Sequence, residues 1–391
     1  MKKREYDFWL LFTVLVLLGM GTVMVFSASS YNALYYHNNK FYFFIRQLIW
    51  SALGIAGMLV FSKLDYRRIA SSAPILMVIS IVLLILVRIP GIGSNINGAY
   101  RWFNFGPMSF QPSELAKISL ILFLAFSLSK NADRLKHFFT GLVPYLLVVG
   151  VIDGLLYLEP HMSAIILITA VAVIILFMAG ARVSHFVLLA LPVVVLGWQI
   201  VMSKPYRMER LLSFTDPFKY KQGSGFQVVN SLYAIASGSV FGRGLGKSLQ
   251  KYLYLPEPHN DFIFSILAEE LGFVGSLTVV ALFLLFIWRG MRVAMNAPDM
   301  LGSLIAGGIT SLIALQTIIN IAVVTSTVPA TGMPLPFFSA GGSSLVFLMS
   351  SVGILLNISK GSQTTILTLH KGGKADPAVN HTLTKRKVGD Y

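Results

Sequence analysis

Residues 8–26, Phe8-Trp9-Leu10-Leu11-Phe12-Thr13-Val14-Leu15-Val16-Leu17-Leu18-Gly19-Met20-Gly21-Thr22-Val23-Met24-Val25-Phe26, carry no charge and no proline. At about 1.5 Å per residue, a helix of this length crosses the roughly 30 Å hydrocarbon layer of a bilayer. Lys2-Lys3-Arg4 precede it, an arrangement that imitates a secretory signal. The apolar stretch is longer than the usual signal core, so it reads as a retained first membrane helix.

Similar runs recur near 43–62, 72–90, 112–130, 139–158, 162–180, 183–202, 262–288, 301–326 and 339–358. The expectation is therefore an all-α integral membrane protein of about ten transmembrane helices, with residues 1–359 as one polytopic domain. Composition agrees: 55% of the 391 residues are hydrophobic and 12% charged, and mean hydropathy is +0.73. A soluble chain carries roughly twice that charged fraction. From about Lys360 the sequence turns polar and aperiodic, and 360–391 reads as a disordered cytoplasmic tail.

The net charge of +15 sits between apolar spans rather than in one stripe, which argues for topology and against nucleic acid. With the N-terminus cytoplasmic, the inner segments hold Lys63, Arg67 and Arg68, then Lys130, Arg134 and Lys136, then Arg182, Arg289 and Arg292. An even number of crossings returns the basic C-terminal tail to the same side. The chain contains no cysteine, which removes disulfides and thiolate chemistry from consideration.

Two outer segments depart from this pattern. Residues 91–111 are rich in Gly, Asn and aromatics. Residues 203–261, between the seventh and eighth helices, form a large extracytoplasmic loop bearing Lys204, Arg207, Arg210, Lys219, Lys221, Arg243, Lys247 and Lys251. An anionic ligand on the outer face accounts for such an excess. Gly242-Arg243-Gly244-Leu245-Gly246-Lys247-Ser248 imitates a nucleotide-binding P-loop, but Phe241 stands where its first glycine belongs and no strand precedes it. It reads as a glycine-rich turn, plain or touching a lipid-borne phosphate, and no nucleotide is expected.

Ionisable residues at membrane depth are functional candidates because burying them is costly. Glu114 and Lys117 open the fourth span at i, i+3 after Pro112. They serve as a self-neutralising pair or as the lining of a polar cavity. Asp261 ends the long loop behind Pro256 and Pro258, where it fits a helix cap or a general base tuned by desolvation and nearby cations. Glu269, Glu270 and Asp153 read as structural hydrogen-bonding groups facing the bundle interior. Arg101-Trp102 fits an interfacial anchor or a substrate contact equally well.

At these positions the chain resembles the SEDS family (shape, elongation, division and sporulation proteins), in its FtsW and SpoVE branch, related to RodA. The resemblance rests on 98–102, Phe110-Gln111-Pro112-Ser113-Glu114-Leu115-Ala116-Lys117, 233–238, 242–246, Leu255-Pro256-Glu257, 259–264 and Glu269-Glu270-Leu271-Gly272. It ends on Thr331-Gly332-Met333-Pro334-Leu335-Pro336-Phe337 with Gly341-Gly342-Ser343-Ser344. Asn260 stands where the family usually has Thr or Ser, Ala340 where Tyr is common, and Glu159-Pro160-His161 where Gln-Pro-Asp is familiar.

The resemblance implies a peptidoglycan glycosyltransferase in the bacterial cytoplasmic membrane, both termini cytoplasmic and the active site extracytoplasmic. It would polymerise lipid II into glycan strands during division, elongation or sporulation. Its partners would be the growing chain, a class B penicillin-binding protein (a transpeptidase) and divisome membrane proteins. Asp261 matches the family's essential aspartate, and Trp102 and Glu114 match cavity positions. Arg101, Lys117, Arg210, Arg243, Lys247 and His259 complete the expected substrate contacts. Arg and Lys of the outer loop would neutralise the expelled pyrophosphate, alone or with a divalent cation such as Mg or Mn. A lipid II flippase and a non-catalytic divisome scaffold are the competing classes.

Overall fold

The computed structural model describes residues 6–370 except Asn97, Pro107, Ser203, Lys204, Ser224, Leu253 and Glu257. The expected ten crossings are present. Seven helical segments are long and apolar enough to span a bilayer, and shorter apolar helices at Ala73–Leu86, Met162–Met178 and Val183–Gln199 complete the set. The long ones begin with α1 (Phe8–His37) and α2 (Tyr42–Lys63), joined by a turn in which Asn38 is left-handed. A short α3 (Tyr66–Ser71) leads into α4 (Ala73–Leu86).

Next comes a feature the helical reading leaves out. Residues 94–110 form a small antiparallel sheet, β1 (Ser94–Ile96), β2 (Ala99–Phe105) and β3 (Met108–Phe110), in the order β1-β2-β3. Alternating aromatic and polar residues along β2 suit a strand with one face on the bundle. Helix α5 (Pro112–Asn131) starts with Pro112 at its first position, where the missing N–H costs nothing. Tight turns then lead to α6 (Val143–Leu158), α7 (Met162–Met178) and α8 (Val183–Met202).

The expected loop 203–261 is partly helical: α9 (Pro205–Thr215) and α10 (Phe226–Ser237) lie within it. The chain closes with α11 (Ile263–Met295), α12 (Met300–Val324) and α13 (Gly342–His370). α13 continues past Lys360 into the stretch expected to be tail, and residues 371–391 lie outside the described ones. The longest interface runs α2 along α13. Gly54 and Gly353 permit it, since a Cβ on Gly353 would stand 2.4 Å from the Met58 carbonyl.

The eighth span differs from its reading over 262–288. Gly272 has φ 67 and ψ −164, which breaks α11 in two. The membrane stretch therefore starts at Phe273, and Ile263–Leu271 is a separate buried segment above it. The break frees backbone groups that must find partners. Residues 239–244 supply them: Arg243 and Gly244 N–H donate to the Glu269 and Glu270 carbonyls, and Phe273 and Val274 N–H donate to Ser239 and Val240.

A second departure lies between α12 and α13. Residues 333–339 dip back into the bundle, with Met333, Leu335, Phe337 and Phe338 buried. Phe337 and Phe338 stack near Phe283 of α11, and the Phe337 carbonyl meets Gly21 of α1, where no Cβ would fit. Irregular backbone at this depth is tolerated because protein surrounds it. Gln316 of α12 donates to the Pro334 carbonyl at 3.1 Å, and Asn320 donates to that of Met333 at 2.6 Å.

Candidate active site on the loop face

Asp261 lies at the end of the bundle that carries the sheet, α9 and α10, here called the loop face. Its own carbonyl accepts a 2.8 Å hydrogen bond from Asn320, the residue that also holds Met333. Its side chain lies against Gly332: a Cβ there would come within 3.2 Å of Asp261 Oδ2. On either side, the Asn260 carbonyl accepts from Ser339 Oγ at 2.7 Å and the His259 carbonyl accepts from Ala340 N–H. The His259 ring packs on Phe43 of α2, 4.5 Å between centroids. The re-entrant segment thus holds Asp261 through backbone bonds and leaves its carboxylate half-buried at the surface.

The stretch 330–332 also gathers more distant residues. Ser163 at the start of α7 donates to the Thr331 carbonyl, and Arg210 of α9 donates to the Ala330 carbonyl at 3.3 Å. Two residues before Ser163, His161 belongs to the α6–α7 turn. Arg101 of β2 donates to the carbonyls of Glu159 (2.9 Å) and Pro160, capping the C-terminal end of α6. Asp261, Arg210 and Arg101 are therefore linked through one continuous shell, whereas 160 residues of sequence separate Arg101 from Asp261.

Glu114 and Lys117 sit beside that shell as a buried pair 2.8 Å apart, and Glu114 also accepts from Ser344 of α13 at 3.0 Å. Both expected roles are open to such a pair, since it ties α5 to α13 and borders the Arg101 cluster. Trp102 is half-buried on β2, opposite Ser94.

The basic loop is less available than its composition suggests. Arg243 pairs with Glu269 at 3.3 Å and Lys251 with Glu270 at 3.2 Å. The glycine-rich turn also turns inward. Ser248 Oγ and the Leu249 and Gln250 N–H groups donate to the Glu269 carboxylate, and Ser248 N–H and Ser27 Oγ donate to that of Glu270. A turn that resembles a phosphate cradle thus wraps two carboxylates of its own chain, which take up the Ser248, Leu249 and Gln250 amides. Glu269 and Glu270 are buried in the bundle interior, as expected, where this loop and Ser27 of α1 meet them above the Gly272 break. Lys247 stays exposed. Asp153 is likewise structural, accepting from Thr169 at 2.7 Å.

One pair of groups went unassigned at the sequence level. Glu159 is 1% exposed and neither carboxyl oxygen has a hydrogen-bond partner. Burial pushes its carboxyl up to about 8, with the Arg101 and Arg88 charges pulling the other way. Burial, then the Arg101 and Lys117 charges, push His161 down to about 3. Burial thus favours the uncharged form of both groups. The signal was the acid-Pro-His turn itself between two apolar runs.

Among the described residues no three His, Asp or Glu side chains converge.

These features define a polytopic membrane protein whose candidate site is a carboxylate on one face, held by a re-entrant segment. The chain belongs to the FtsW/RodA/SpoVE family of cell cycle proteins, which residues 8–364 match. It is 43% identical over 362 residues to stage V sporulation protein E of Bacillus subtilis, covering 93% of this chain and 99% of that one. It is 42% identical over 367 residues to a probable peptidoglycan glycosyltransferase FtsW of Trichlorobacter lovleyi, covering 93% and 96%. Among solved structures, a chain of a peptidoglycan synthase complex that coordinates polymerisation and crosslinking aligns with TM-score 0.76 at 29% identity, covering 91% and 98%. The rod shape determining protein RodA of Thermus thermophilus aligns with TM-score 0.67 at 28% identity, covering 90% and 96%.

Proposed function

We propose that this protein is a peptidoglycan glycosyltransferase that polymerises lipid II at the outer face of the cytoplasmic membrane. The observation that carries the reading is the half-buried Asp261 carboxylate at the loop face, its carbonyl held by Asn320 and that of Asn260 before it by Ser339. The positive-inside distribution supports an extracytoplasmic loop face, and relatives named as probable peptidoglycan glycosyltransferases support the substrate class.

Asp261 acts as general base and takes the proton from the 4-hydroxyl of the acceptor's N-acetylglucosamine. That oxygen bonds to the anomeric carbon of the growing chain with inversion, and the bond from that carbon to the pyrophosphate oxygen breaks. Undecaprenyl pyrophosphate leaves with the electron pair. Arg210 and the exposed Lys247 are the loop cations best placed to meet it. Arg243 is half engaged by Glu269, so its share is smaller. A class B penicillin-binding protein crosslinks the product.

The test is purified protein, with and without such a partner, given lipid II. Glycan polymer from the wild type and a loss of at least 100-fold in Asp261→Asn is expected. Lipid II movement across vesicles without polymer would favour the flippase class; neither activity would favour the scaffold.

A further inference from the structure

We infer that a groove between α1 and the turn 245–252 seats the isoprenoid carrier of one of the two lipid-linked sugars, its pyrophosphate at Lys40. This rests on the glycosyltransferase reading above. The groove encloses about 410 Å³. Val23, Phe26 and Leu34 of α1 form its apolar side, and Tyr31, Lys40 and Tyr252 its mouth. Tyr31 and Tyr252 meet edge to face at 4.7 Å and close one end.

Depth argues for a lipid. Ser27 donates to Glu270 at the base of the groove, and the helical rise puts Ser27 roughly 29 Å from Phe8. That is about the thickness of the hydrocarbon layer, so the groove opens where chains meet headgroups. The turn beside it exposes Phe241 (83%) and Leu245, side chains suited to that boundary.

Charge argues for a phosphate. The lining includes Lys40 and Lys251 and no acidic side chain. Lys251 is taken up by Glu270 and the Gly246 carbonyl. Lys40 is exposed, its Nζ 5.0 Å above the Phe41 ring, and Lys247 is exposed on the same turn. Position argues for the reactant over bulk phospholipid. From Lys40 the chain runs through Phe41, stacked on Phe26 at 5.4 Å, to Phe43, which packs on His259. His259 is two residues from Asp261, so a sugar on a phosphate held at Lys40 extends toward the carboxylate. Of this face, the mechanism so far uses Lys247 alone.

The test places a benzophenone amino acid at Val23 in full-length protein, in phosphatidylcholine nanodiscs. Photocapture of undecaprenyl pyrophosphate, displaced by lipid II and not by phosphatidylglycerol, is expected. Lys40→Glu and Leu34→Glu should each raise KM for lipid II about tenfold with kcat within twofold. Equal capture of phosphatidylglycerol, or an unchanged KM in both variants, overturns the inference. Capture at Val23 by a wild-type protein that forms no polymer would uphold the groove and sink the glycosyltransferase reading instead. Asp261→Asn should still capture the probe.

Discussion

Glu159 shows how one buried side chain sets a pH dependence. Its folded carboxyl titrates near 8 instead of 4.5, so the folded state holds a proton that the unfolded chain has lost. Stability from this group is full below 4.5 and falls as pH rises to 8. His161 has the opposite sign. Its folded value near 3 lies below the ordinary 6.5, so its contribution is present above 6.5 and lost as pH falls toward 3. The two slopes cancel between 4.5 and 6.5, which leaves Glu159 as the member of this pair that titrates between 6.5 and 8. There the wild type should lose about 2 kcal/mol, at 1.36 per unit per proton. Thermal unfolding in detergent across that window should slope downward in the wild type and flatten in Glu159→Gln; equal slopes would remove Glu159 from the account. Asn320 poses a different question at the same scale. Asn320→Ala leaves the Asp261 and Met333 carbonyls unpaired, at about 1–3 kcal/mol each. Asp261 then loses its anchor but keeps its chemistry, so kcat should fall about tenfold with KM nearly unchanged. A change in KM alone would show that Asn320 positions substrate rather than the carboxylate. Asp261 stood out beforehand as a helix cap or a general base after two prolines at a span edge, and the family resemblance singled it out. Asn320 was not, because a lone amide inside an apolar run looks like any buried polar residue until the segment it holds is seen.

Two elements carry most of what hydropathy missed. The broken α11 was hidden because Ile263–Met295 is apolar throughout apart from Glu269, Glu270 and its far end, and a single glycine rarely ends a span. What decides the break is long-range: a Cβ on Gly272 would meet Gly242 N at 2.2 Å and the Val240 carbonyl at 2.6 Å. Gly272→Ala must therefore strain a positive φ and part the turn from the helix, an expected loss of at least 3 kcal/mol. Gly246→Ala is the matched control. Its φ is 78 but nothing lies within 4 Å, so only the backbone strain of about 1 kcal/mol remains. Equal losses in the two variants would refute the docking of the turn on the break. The re-entrant segment had a clearer trace in the sequence. No charged residue occurs from Met300 to Ser359, although a loop facing water between two spans would carry some. Prolines 334 and 336 within that run explain why the chain enters the bundle without forming a helix. Ten apolar runs were legible because bilayer thickness fixes span length. The β-sheet, the break and the dip were not, because each depends on which backbone group meets which.

Over the whole molecule, a set of inter-helix ties and the candidate site lie at opposite ends. On the face away from the loops, Asp7 caps α1 and pairs with Arg289 of α11 at 2.5 Å, while its N–H donates to Ser359 of α13. Nearby, Asp299 caps α12 and accepts from Tyr66 and Arg67, and Asn357 joins α13 to the end of α2 and the start of α3. These bonds tie together the helices whose far ends carry Asp261 and the re-entrant segment. Asp7 is buried, so removing its partner leaves a desolvated charge, at about 3–5 kcal/mol. Arg289→Leu should lower the melting temperature in detergent by several degrees, and Asp7→Asn combined with it should recover part of the loss, because the uncompensated charge is then gone. Polymer formed per folded molecule should stay within about twofold of wild type in both, since no contact of Asp7 or Arg289 reaches the loop face. Asp261→Asn should behave in reverse, with melting unchanged and polymer lost. If the Arg289 variant instead lost turnover at temperatures where it is still folded, the two ends would be coupled through α11, and the Gly272 break would be the joint through which that coupling passes.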